Sequence, residues 1–255
     1  MKKLIALAAT AAGGAALAVE SANIVGYSEN QTSGKYNAAG FCFTGVSSDG
    51  TVTLGDISAS GWNYENDFLQ VLNPGTCAND KELVWLTKEE AEGGEVGDKA
   101  GWYDASEFTY EGATVFDLGA GFLTSLGSSN VKLTSAGAVY DQAFTLECPG
   151  KYVIIPNALP RKIKLSELTA DGWNYENDFL QLLNSATCAN DKELVWLTKE
   201  EAEGGEVGDK AGWYDASEFT YEGDNIELEP GQGMLTSLGS TGVRIHYPKA
   251  IPDQQ

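Results

Sequence analysis

A long internal repeat limits the possible folds of this chain more than any other sequence feature. Residues 61–112 recur at 172–223, and only three of the 52 positions differ: Val71 becomes Leu182, Pro74 becomes Ser185 and Gly75 becomes Ala186. Weaker similarity extends outward to the Leu-Thr-Ser-Leu-Gly-Ser segments at 123–128 and 235–240 and to the Gly-Lys-Tyr motifs at 34–36 and 150–152. The shift of 111 residues exceeds the period of about 20 to 50 residues typical of stacked repeats, so each copy is expected to form a domain.

The near identity of the repeated segment has two possible origins. The flanks at 34–60 and 150–171 share little beyond pattern, whereas the centre is almost unchanged. Either a recent sequence exchange made the centres alike, or the centre is constrained, for example because it makes the same contact twice. The sequence leaves both explanations open.

The first residues have the pattern of an export signal. Lys2 and Lys3 precede an apolar run at 4–18 that ends in Ala-Leu-Ala, which predicts cleavage after Ala18, with Ala22 as the alternative site. An uncleaved anchor is the competing interpretation, but the run is shorter than the roughly 20 residues that span a bilayer. We therefore predict a signal peptide at 1–18, a first β-rich domain at 19–142 and a second at 143–255, with the mature protein exported from the cytoplasm and without a transmembrane segment.

Charge and composition exclude several classes of function. The chain has a net charge of -21 and a pI near 4.2, which disfavours binding to nucleic acid through a basic face. A single His and the absence of a Cys-x-x-Cys pair argue against a His-rich metal centre or a zinc ribbon. Each copy of the repeat carries 12 of the acidic residues but only 3 Lys, and all six Trp lie in the two copies. Such a mixture is typical of strands that bury aromatic side chains and expose carboxylates.

The residue patterns predict an all-β fold with two tandem, homologous, β-sandwich-like domains, a sandwich being preferred over a barrel. Short runs rich in Val, Ile, Tyr, Phe and Thr alternate with Gly, Asn and Asp turns, and they predict strands near 67–72, 82–87 and 107–118, among others. At most one short helix is expected in each domain. It would begin at Thr87, whose pairing with Glu90 forms a capping box, and the Gly93-Gly94 pair would stop it within about two turns.

The four cysteines are compatible with an exported chain. Cys77 and Cys188 occupy the same repeat position, whereas Cys42 and Cys148 do not correspond to each other. We predict one disulfide in each domain, Cys42 with Cys77 and Cys148 with Cys188. The alternative is four buried thiols.

The acidic loop at 88–104 is the only candidate for a metal site. Its Gly-rich segment contains Glu92, Glu95, Asp98 and Asp104, whose oxygen atoms could surround Ca²⁺. The alternating Asp spacing of a Ca²⁺ loop is absent, so exposed carboxylates that keep the domain soluble are the favoured interpretation, and no cofactor is predicted.

Aromatic residues beside turns are the candidates for a binding site. A planar ring stacks on the apolar face of a sugar while nearby amides and carboxylates hold its hydroxyl groups. Core or interface roles compete with this glycan-binding interpretation. The candidates, in both copies, are Trp62, Tyr64, Trp102, Tyr103, Trp173, Tyr175, Trp213 and Tyr214.

Catalysis is not predicted. The only histidine, His246, lies in a segment where the first copy has Thr134, so a Ser-His or Cys-His pair cannot occur in both domains. A glycosidase with two carboxylates needs no histidine, but a domain of this size offers little room for a deep cleft.

The segment Ser-Ala-Asn-Ile-Val-Gly-Tyr at 21–27 resembles the beginning of uncharacterised secreted β-rich proteins of planctomycete and verrucomicrobial bacteria. The Asp-Phe-Leu-Gln segments at 67–70 and 178–181 and the Gly-Trp-Tyr-Asp segments at 101–104 and 212–215 are also similar to that family. The resemblance implies export and a β fold but no activity. We therefore expect a secreted, non-enzymatic structural or adhesive protein of the cell surface or matrix that self-associates, and a carbohydrate-binding protein is the alternative.

Overall fold

The structure is a computed structural model that describes residues 25–31, 34–44 and 51–251. The predicted signal peptide at 1–18 and the start of the family-like segment at 21–27 lie outside the described residues. No helix in the described part of the chain is both long enough and apolar enough to cross a membrane.

The described residues of the first copy form ten strands and one short α-helix. The strands and the helix are β1 (Val25–Gln31), β2 (Tyr36–Gly40), β3 (Val52–Thr53), β4 (Ile57–Ser60), β5 (Phe68–Leu72), β6 (Asn79–Leu86), α1 (Lys88–Gly93), β7 (Gly101–Asp104), β8 (Val115–Phe116), β9 (Gly121–Ser125) and β10 (Lys132–Ala138).

The second copy repeats this order after a connection at 139–143. Its strands and helix are β11 (Phe144–Glu147), β12 (Ile154–Pro156), β13 (Ile163–Lys164), β14 (Thr169–Asp171), β15 (Phe179–Leu183), β16 (Asn190–Leu197), α2 (Lys199–Gly204), β17 (Gly212–Asp215), β18 (Glu227–Leu228), β19 (Gly233–Ser237) and β20 (Arg244–Tyr247). A short 3₁₀ turn precedes β4 in the first copy and β14 in the second.

Each copy forms its own set of antiparallel sheets. In the first copy a five-stranded sheet has the order β2-β9-β5-β6-β7, a three-stranded sheet has the order β1-β10-β4, and β3 pairs with β8. The second copy has the same three sheets, built from the corresponding strands β11 to β20. The all-β prediction with one short helix in each copy is confirmed.

The core of each copy lies between its sheets. In the first copy, Leu69 and Leu83 of the five-stranded sheet pack with Ile57 and Leu133 of the three-stranded sheet. Leu69 pairs directly with Leu83 across β5 and β6, so both side chains point to the same face. Full burial of each such side chain contributes about 1.5–3 kcal/mol of hydrophobic stabilisation. This arrangement is the sandwich that the sequence predicts.

The short helix begins and ends where the sequence predicts. The Thr87 hydroxyl accepts a hydrogen bond from the Glu90 N–H, and the Glu90 carboxylate accepts one from the Thr87 N–H. The only buried residue of the helix is Ala91, which packs on the outer face of the five-stranded sheet beside Val84 and Tyr103. Gly94 caps the other end.

The two copies contact each other near the edge strands β2 and β12 of their five-stranded sheets. Ala38 and Leu123 of the first copy pack with Ile154 and Leu235 of the second. We call these four residues the interface cluster. Strands β2 and β12 form one edge of their sheets, and strands β7 and β17 form the other edge. The β7 and β17 edges, with the helices beside them, therefore lie on the side of each copy away from this contact.

Reciprocal backbone contacts give the interface an approximate two-fold symmetry. The Tyr36 N–H donates to the Ser185 carbonyl at 2.7 Å, and the Tyr152 N–H donates to the Pro74 carbonyl at 2.8 Å. Gly34 lies against Ser185 in the same way that Gly150 lies against Pro74. Position 74, equivalent to 185, is one of the three positions at which the repeats differ. At least this one of the three differences therefore lies where the copies touch.

Two predictions of strand positions are wrong. The segment 107–118 contains only the two-residue strand β8, because its first half forms a turn closed by the Asp104 side chain. Conversely, the Gly-Trp-Tyr-Asp segments at 101–104 and 212–215, whose aromatic residues we placed beside turns and not in strands, are the strands β7 and β17.

Candidate functional site

Four of the predicted binding aromatics are core residues. Trp102 and Trp213 are 0% exposed, and their indole N–H groups donate to the carbonyl oxygens of Ile57 and Leu168. Tyr103 and its copy Tyr214 are also buried, and each hydroxyl donates to a nearby backbone carbonyl. The interpretation of these side chains as a glycan-binding surface is therefore corrected, because a ligand at the surface cannot reach them.

The remaining predicted aromatics are half-buried supports of the core. Trp62 lies edge-on to Trp102 with ring centroids 5.0 Å apart, and Trp173 repeats this contact with Trp213. Within the described residues, the indole nitrogens of Trp62 and Trp173 are buried without a hydrogen-bond partner. Tyr64 and Tyr175 pack on the helix-side apolar clusters of their copies. These residues stabilise the packing and do not form an open aromatic platform.

The acidic loop does not bring its carboxylates together. Glu92 pairs with Lys88 at 3.5 Å, and Asp104 is engaged by backbone N–H groups of the turn that follows β7. Glu95 adopts a left-handed backbone conformation with φ 54° in the connection after the helix, and Asp98 lies three residues farther along. In the part of the chain that the structure describes, no group of three or more His, Cys, Asp or Glu side chains is arranged to hold a metal ion.

The predicted disulfides are not formed. All four cysteines lie within the described ranges and are present as thiols. Cys148 belongs to the core of the second copy, whereas Cys188 packs against the interface cluster. Cys42 is buried with its sulfur 3.8 Å from the Ser135 hydroxyl, while Cys77 also packs against the interface cluster. Cys148 and Cys188 thus belong to different apolar clusters, and Cys42 lies beside Ser135 of β10 whereas Cys77 packs on the interface cluster, so neither predicted pair is brought together.

The turn after β7 brings together the polar and aromatic residues that are exposed on the side of the copy away from the interface. One Asp104 carboxylate oxygen accepts hydrogen bonds from the Ser106 N–H at 2.8 Å, the Ser106 hydroxyl at 2.6 Å and the Glu107 N–H at 3.1 Å. The Phe108 N–H donates to the Asp104 carbonyl. We call the segment 104–111, and its copy 215–222, the aromatic hairpin.

The chain of the aromatic hairpin returns along the outer edge of β7. The Asp104 N–H donates to the Thr109 carbonyl at 2.9 Å, and the Glu111 N–H donates to the Trp102 carbonyl at 2.8 Å. The edge strand therefore has partners on both sides, which protects it from indiscriminate pairing with other chains. Any specific contact at this end must use the side chains of the hairpin.

Two aromatic side chains of the first hairpin are exposed. Phe108 is 36% exposed and has a φ of 51°, and Tyr110 is 44% exposed. A left-handed backbone conformation is unfavourable for a bulky residue, and such strain is typical of functional positions. Phe219 repeats it with φ 53°. Tyr110 stands edge-on to Tyr103 and contacts Gly101, where an added Cβ would lie 2.6 Å from the Tyr110 ring.

A polar groove lies beside each hairpin. In the first copy it has a volume of about 480 Å³, and in the second about 290 Å³. The first groove is lined by Phe68, Asn79, Asp80, Lys81, Glu82, Asp104, Ala105 and Ser106, and the second by Phe179 and the equivalents of six of the others. A half-buried phenyl ring next to amide and carboxylate groups can accommodate a polyhydroxylated ligand.

The charged side chains near the groove are held in ion pairs. Lys81 lies 2.8 Å from Glu111, and in the second copy Lys192 lies 2.7 Å from Glu222. Hydrogen bonds from Ser217 lower the pKa of Asp215 to about 2, and backbone N–H groups and Lys192 contribute to this shift. The equivalent hydrogen bond from Ser106 lowers the pKa of Asp104. Both carboxylates are therefore charged at neutral pH, and the hairpin conformation is maintained.

Comparison with known proteins finds no match to this chain among protein-family models, curated proteins or solved structures. The resemblance of the 21–27 segment to secreted bacterial β-rich proteins therefore stays a prediction, and the site has to be interpreted from its own geometry.

The histidine lies on the other sheet of the second copy. His246 Nδ1 is 2.9 Å from the Thr145 hydroxyl, and His246 Nε2 is 3.5 Å from Asp171. The Asp171 carboxylate is also 2.7 Å from Arg244. These side chains lie on the adjacent strands β11, β20 and β14, where cross-strand polar pairs stabilise a sheet.

Proposed function

We propose that this chain is an exported, non-enzymatic structural or adhesive protein of the bacterial cell surface or extracellular matrix, and that it self-associates through the aromatic hairpins. The observation that carries the proposal is the exposed Phe108, held in a strained turn at the side of the copy away from the interface. The second copy presents the same turn. One chain therefore offers two similar hairpins, as a cross-linking protein requires, with Phe108 exposed in the first and Phe219 half-buried against the cluster that contains Val195 and Tyr214 in the second.

The rigidity of the hairpin favours specific contact. The Asp104 carboxylate fixes the turn through three hydrogen bonds, so little conformational freedom is lost when Phe108 is buried by a partner. Chains that each use two separate contacts can extend into an open assembly when the contacts do not close into a ring. Repulsion between strongly acidic chains opposes association at low ionic strength. Salt, with a Debye length of about 8 Å at physiological strength, relieves this repulsion.

Light scattering of the purified protein across a series of NaCl and Ca²⁺ concentrations tests the proposal. We expect assembly to increase with either salt. The double variant Phe108→Ser and Phe219→Ser should stay monomeric under every condition. Because Phe219 also packs against the cluster that contains Val195 and Tyr214, circular dichroism must show that the double variant is folded at the temperature of the assay. Val115→Ser is the matched control, since Val115 is 58% exposed but lies outside the hairpin. A wild-type monomer under every condition would contradict self-association.

Export can be tested separately. Supporting it are the basic and apolar pattern of residues 2–18 and the family resemblance of the following segment. Amino-terminal sequencing of the protein recovered outside the cytoplasm should begin at Val19. Recovery of the intact chain from the cytoplasm alone would contradict export.

Carbohydrate binding is the second candidate, and the polar groove is the observation that favours it. The ring of Phe68 borders the groove beside Asn79 and Asp80. Retention on a polysaccharide affinity gel tests this function. If the groove binds the sugar, Asp80→Ala combined with Asp191→Ala should abolish retention, whereas the Phe108→Ser and Phe219→Ser double variant should retain it.

A further inference from the structure

The loop between β5 and β6 carries a cysteine that faces the other copy. Cys77 has a φ of 60°, and so does its repeat equivalent Cys188. Both turns are held in the same way, since the Cys77 N–H donates to the Asn73 carbonyl at 3.0 Å and the Cys188 N–H donates to the Asn184 carbonyl at 2.9 Å. The two thiols are therefore presented by identical local structures.

The interface brings both thiols to one apolar cluster. Cys77 and Cys188 both pack on the interface cluster, which draws two residues from each copy. The same two loops are anchored across the interface by the Tyr152 N–H to Pro74 and Tyr36 N–H to Ser185 hydrogen bonds. Both thiols therefore lie at the same small apolar cluster, one contributed by each copy.

The electrostatics are consistent with this proximity. Burial raises the pKa of the Cys188 thiol, and the neighbouring Cys77 raises it further. Burial likewise raises the pKa of Cys77. Both side chains remain partly exposed, so a reagent in solution can reach them. By contrast, Cys148 is buried in the core and its pKa is raised to about 12.

We propose that Cys77 and Cys188 form a disulfide that covalently joins the two copies. The oxidant is a protein or small molecule with a reactive disulfide of its own. The Cys77 thiolate attacks one sulfur of that disulfide, which breaks and releases one thiolate of the oxidant. The Cys188 thiolate then attacks the Cys77 sulfur, forms the bond between the copies and releases the second thiolate. The two cysteines lose two electrons and two protons, and the oxidant is reduced to two thiols.

This bond differs in its consequence from disulfides within each domain. It would close a loop that contains the last part of the first copy and the first part of the second, and so hold the interface cluster together even when one copy opens. It also leaves Cys42 and Cys148 as thiols in their positions. The number of free thiols therefore falls from four to two on oxidation.

Peptide mapping of the folded protein after incubation with oxidised glutathione tests the proposal. We expect one cross-linked peptide that contains Cys77 and Cys188, in a chain that remains monomeric on a non-reducing gel and is lighter by two hydrogen atoms. Loss of two of the four thiols should accompany it. Links of Cys42 with Cys77 or of Cys148 with Cys188 would overturn the proposal, and so would retention of all four thiols.

Single cysteine variants test whether the disulfide forms only between Cys77 and Cys188. Cys77→Ser should leave Cys188 as a thiol that reacts with a maleimide, and Cys188→Ser should do the same for Cys77. Oxidation of the wild-type protein in urea supplies the second comparison. If the fold positions the two sulfurs, the Cys77 to Cys188 link should lose its preference over other pairings in urea. An equal distribution of pairings in the folded and the unfolded protein would refute the proposal.

Discussion

The indole N–H of Trp102 donates a 2.9 Å hydrogen bond to the carbonyl oxygen of Ile57, which joins the last strand of the five-stranded sheet to the opposing three-stranded sheet. The ring is fully buried between Trp62 and Trp85, edge-on to both. A residue in this position stabilises the sandwich and has no surface left for a partner.

Trp102→Ala should therefore lower the free energy of unfolding by about 3–5 kcal/mol, the range typical of a buried tryptophan. Trp102→Phe, which keeps most of the ring packing but removes the donor to Ile57, should cost about 1–3 kcal/mol. Urea denaturation measures both. Trp213→Phe is the matched variant in the second copy. Loss of assembly with unchanged stability would contradict the core role.

The position of Trp102 shows why strand β7 could not be predicted from the sequence. Strand β7 packs on both faces, Trp102 against the core and Tyr103 against the helix-side cluster. It therefore lacks the alternation of apolar and polar residues that marks a half-buried strand. Strand β5 was predictable because its residues at 68–72 form an apolar run bounded by turn residues on both sides.

The helix was predictable because its capping signal is local, and this makes it a quantitative test. Thr87→Ala should lower stability by about 1 kcal/mol, since it leaves the Glu90 N–H without the cap. Thr198→Ala should have the same effect in the second copy. The two losses should add within about 0.5 kcal/mol because the sites share no contacts. Thr87→Ser, which retains the hydroxyl, is the control in thermal denaturation, and a loss equal to that of Thr87→Ala would argue against the cap.

The aromatic hairpin was harder to predict from the sequence than the helix, because its turn depends on side-chain hydrogen bonds that compete with strand formation. Phe108 and Tyr110 have strand-like residue types, so the segment 107–118 is predicted to be extended. The turn forms because Asp104 accepts hydrogen bonds from residues two and three positions later, a competition between side chain and strand that Asp often wins. The direction of Cys77 could not be derived from one copy, because it depends on the packing between copies.

The hairpin carboxylate gives a pH-dependent prediction. The folded pKa of Asp215 is lowered to about 2 from an ordinary value of 3.8, so its stabilising contribution is fully present above about pH 5 and is lost as the pH falls through the folded pKa. Asp215→Asn should cost on the order of 1 kcal/mol at pH 7, after allowance for partial solvent screening. The difference between wild type and variant should decline between about pH 4 and pH 2.

Urea denaturation of both proteins at several pH values measures this difference. Ser217→Ala is the control, because it removes the hydroxyl donor that contributes most to the shift and should move the decline to higher pH. A difference that does not change with pH would contradict the charged role of Asp215.

The interface between the copies favours pairing of a first domain with a second domain over pairing of two first domains or of two second domains. Gly40 and Pro156 occupy equivalent positions in β2 and β12, because Ala38 pairs with Leu123 as Ile154 pairs with Leu235. They meet across the interface so closely that a Cβ added to Gly40 would lie 2.6 Å from the Pro156 ring. Two first domains would place glycine against glycine and leave a gap. Two second domains would place proline against proline and overlap.

The separately expressed domains 19–142 and 143–255 should consequently fold on their own and prefer each other when mixed. Under reducing conditions, sedimentation velocity should show a one-to-one complex at concentrations where each domain alone is mostly monomeric. We expect a preference of at least about fivefold over pairing of two second domains, because overpacking alone costs about 1–3 kcal/mol and a factor of ten corresponds to 1.4 kcal/mol. Gly40→Val in the first domain should abolish the complex, whereas Thr87→Ser should not affect it. Because a Cβ at position 40 would also lie 2.7 Å from the Ala120 carbonyl oxygen of the same domain, circular dichroism must show that the Gly40→Val domain is folded. Equal self-association of the two domains, or no complex on mixing, would show that the interface does not select its partner in this way.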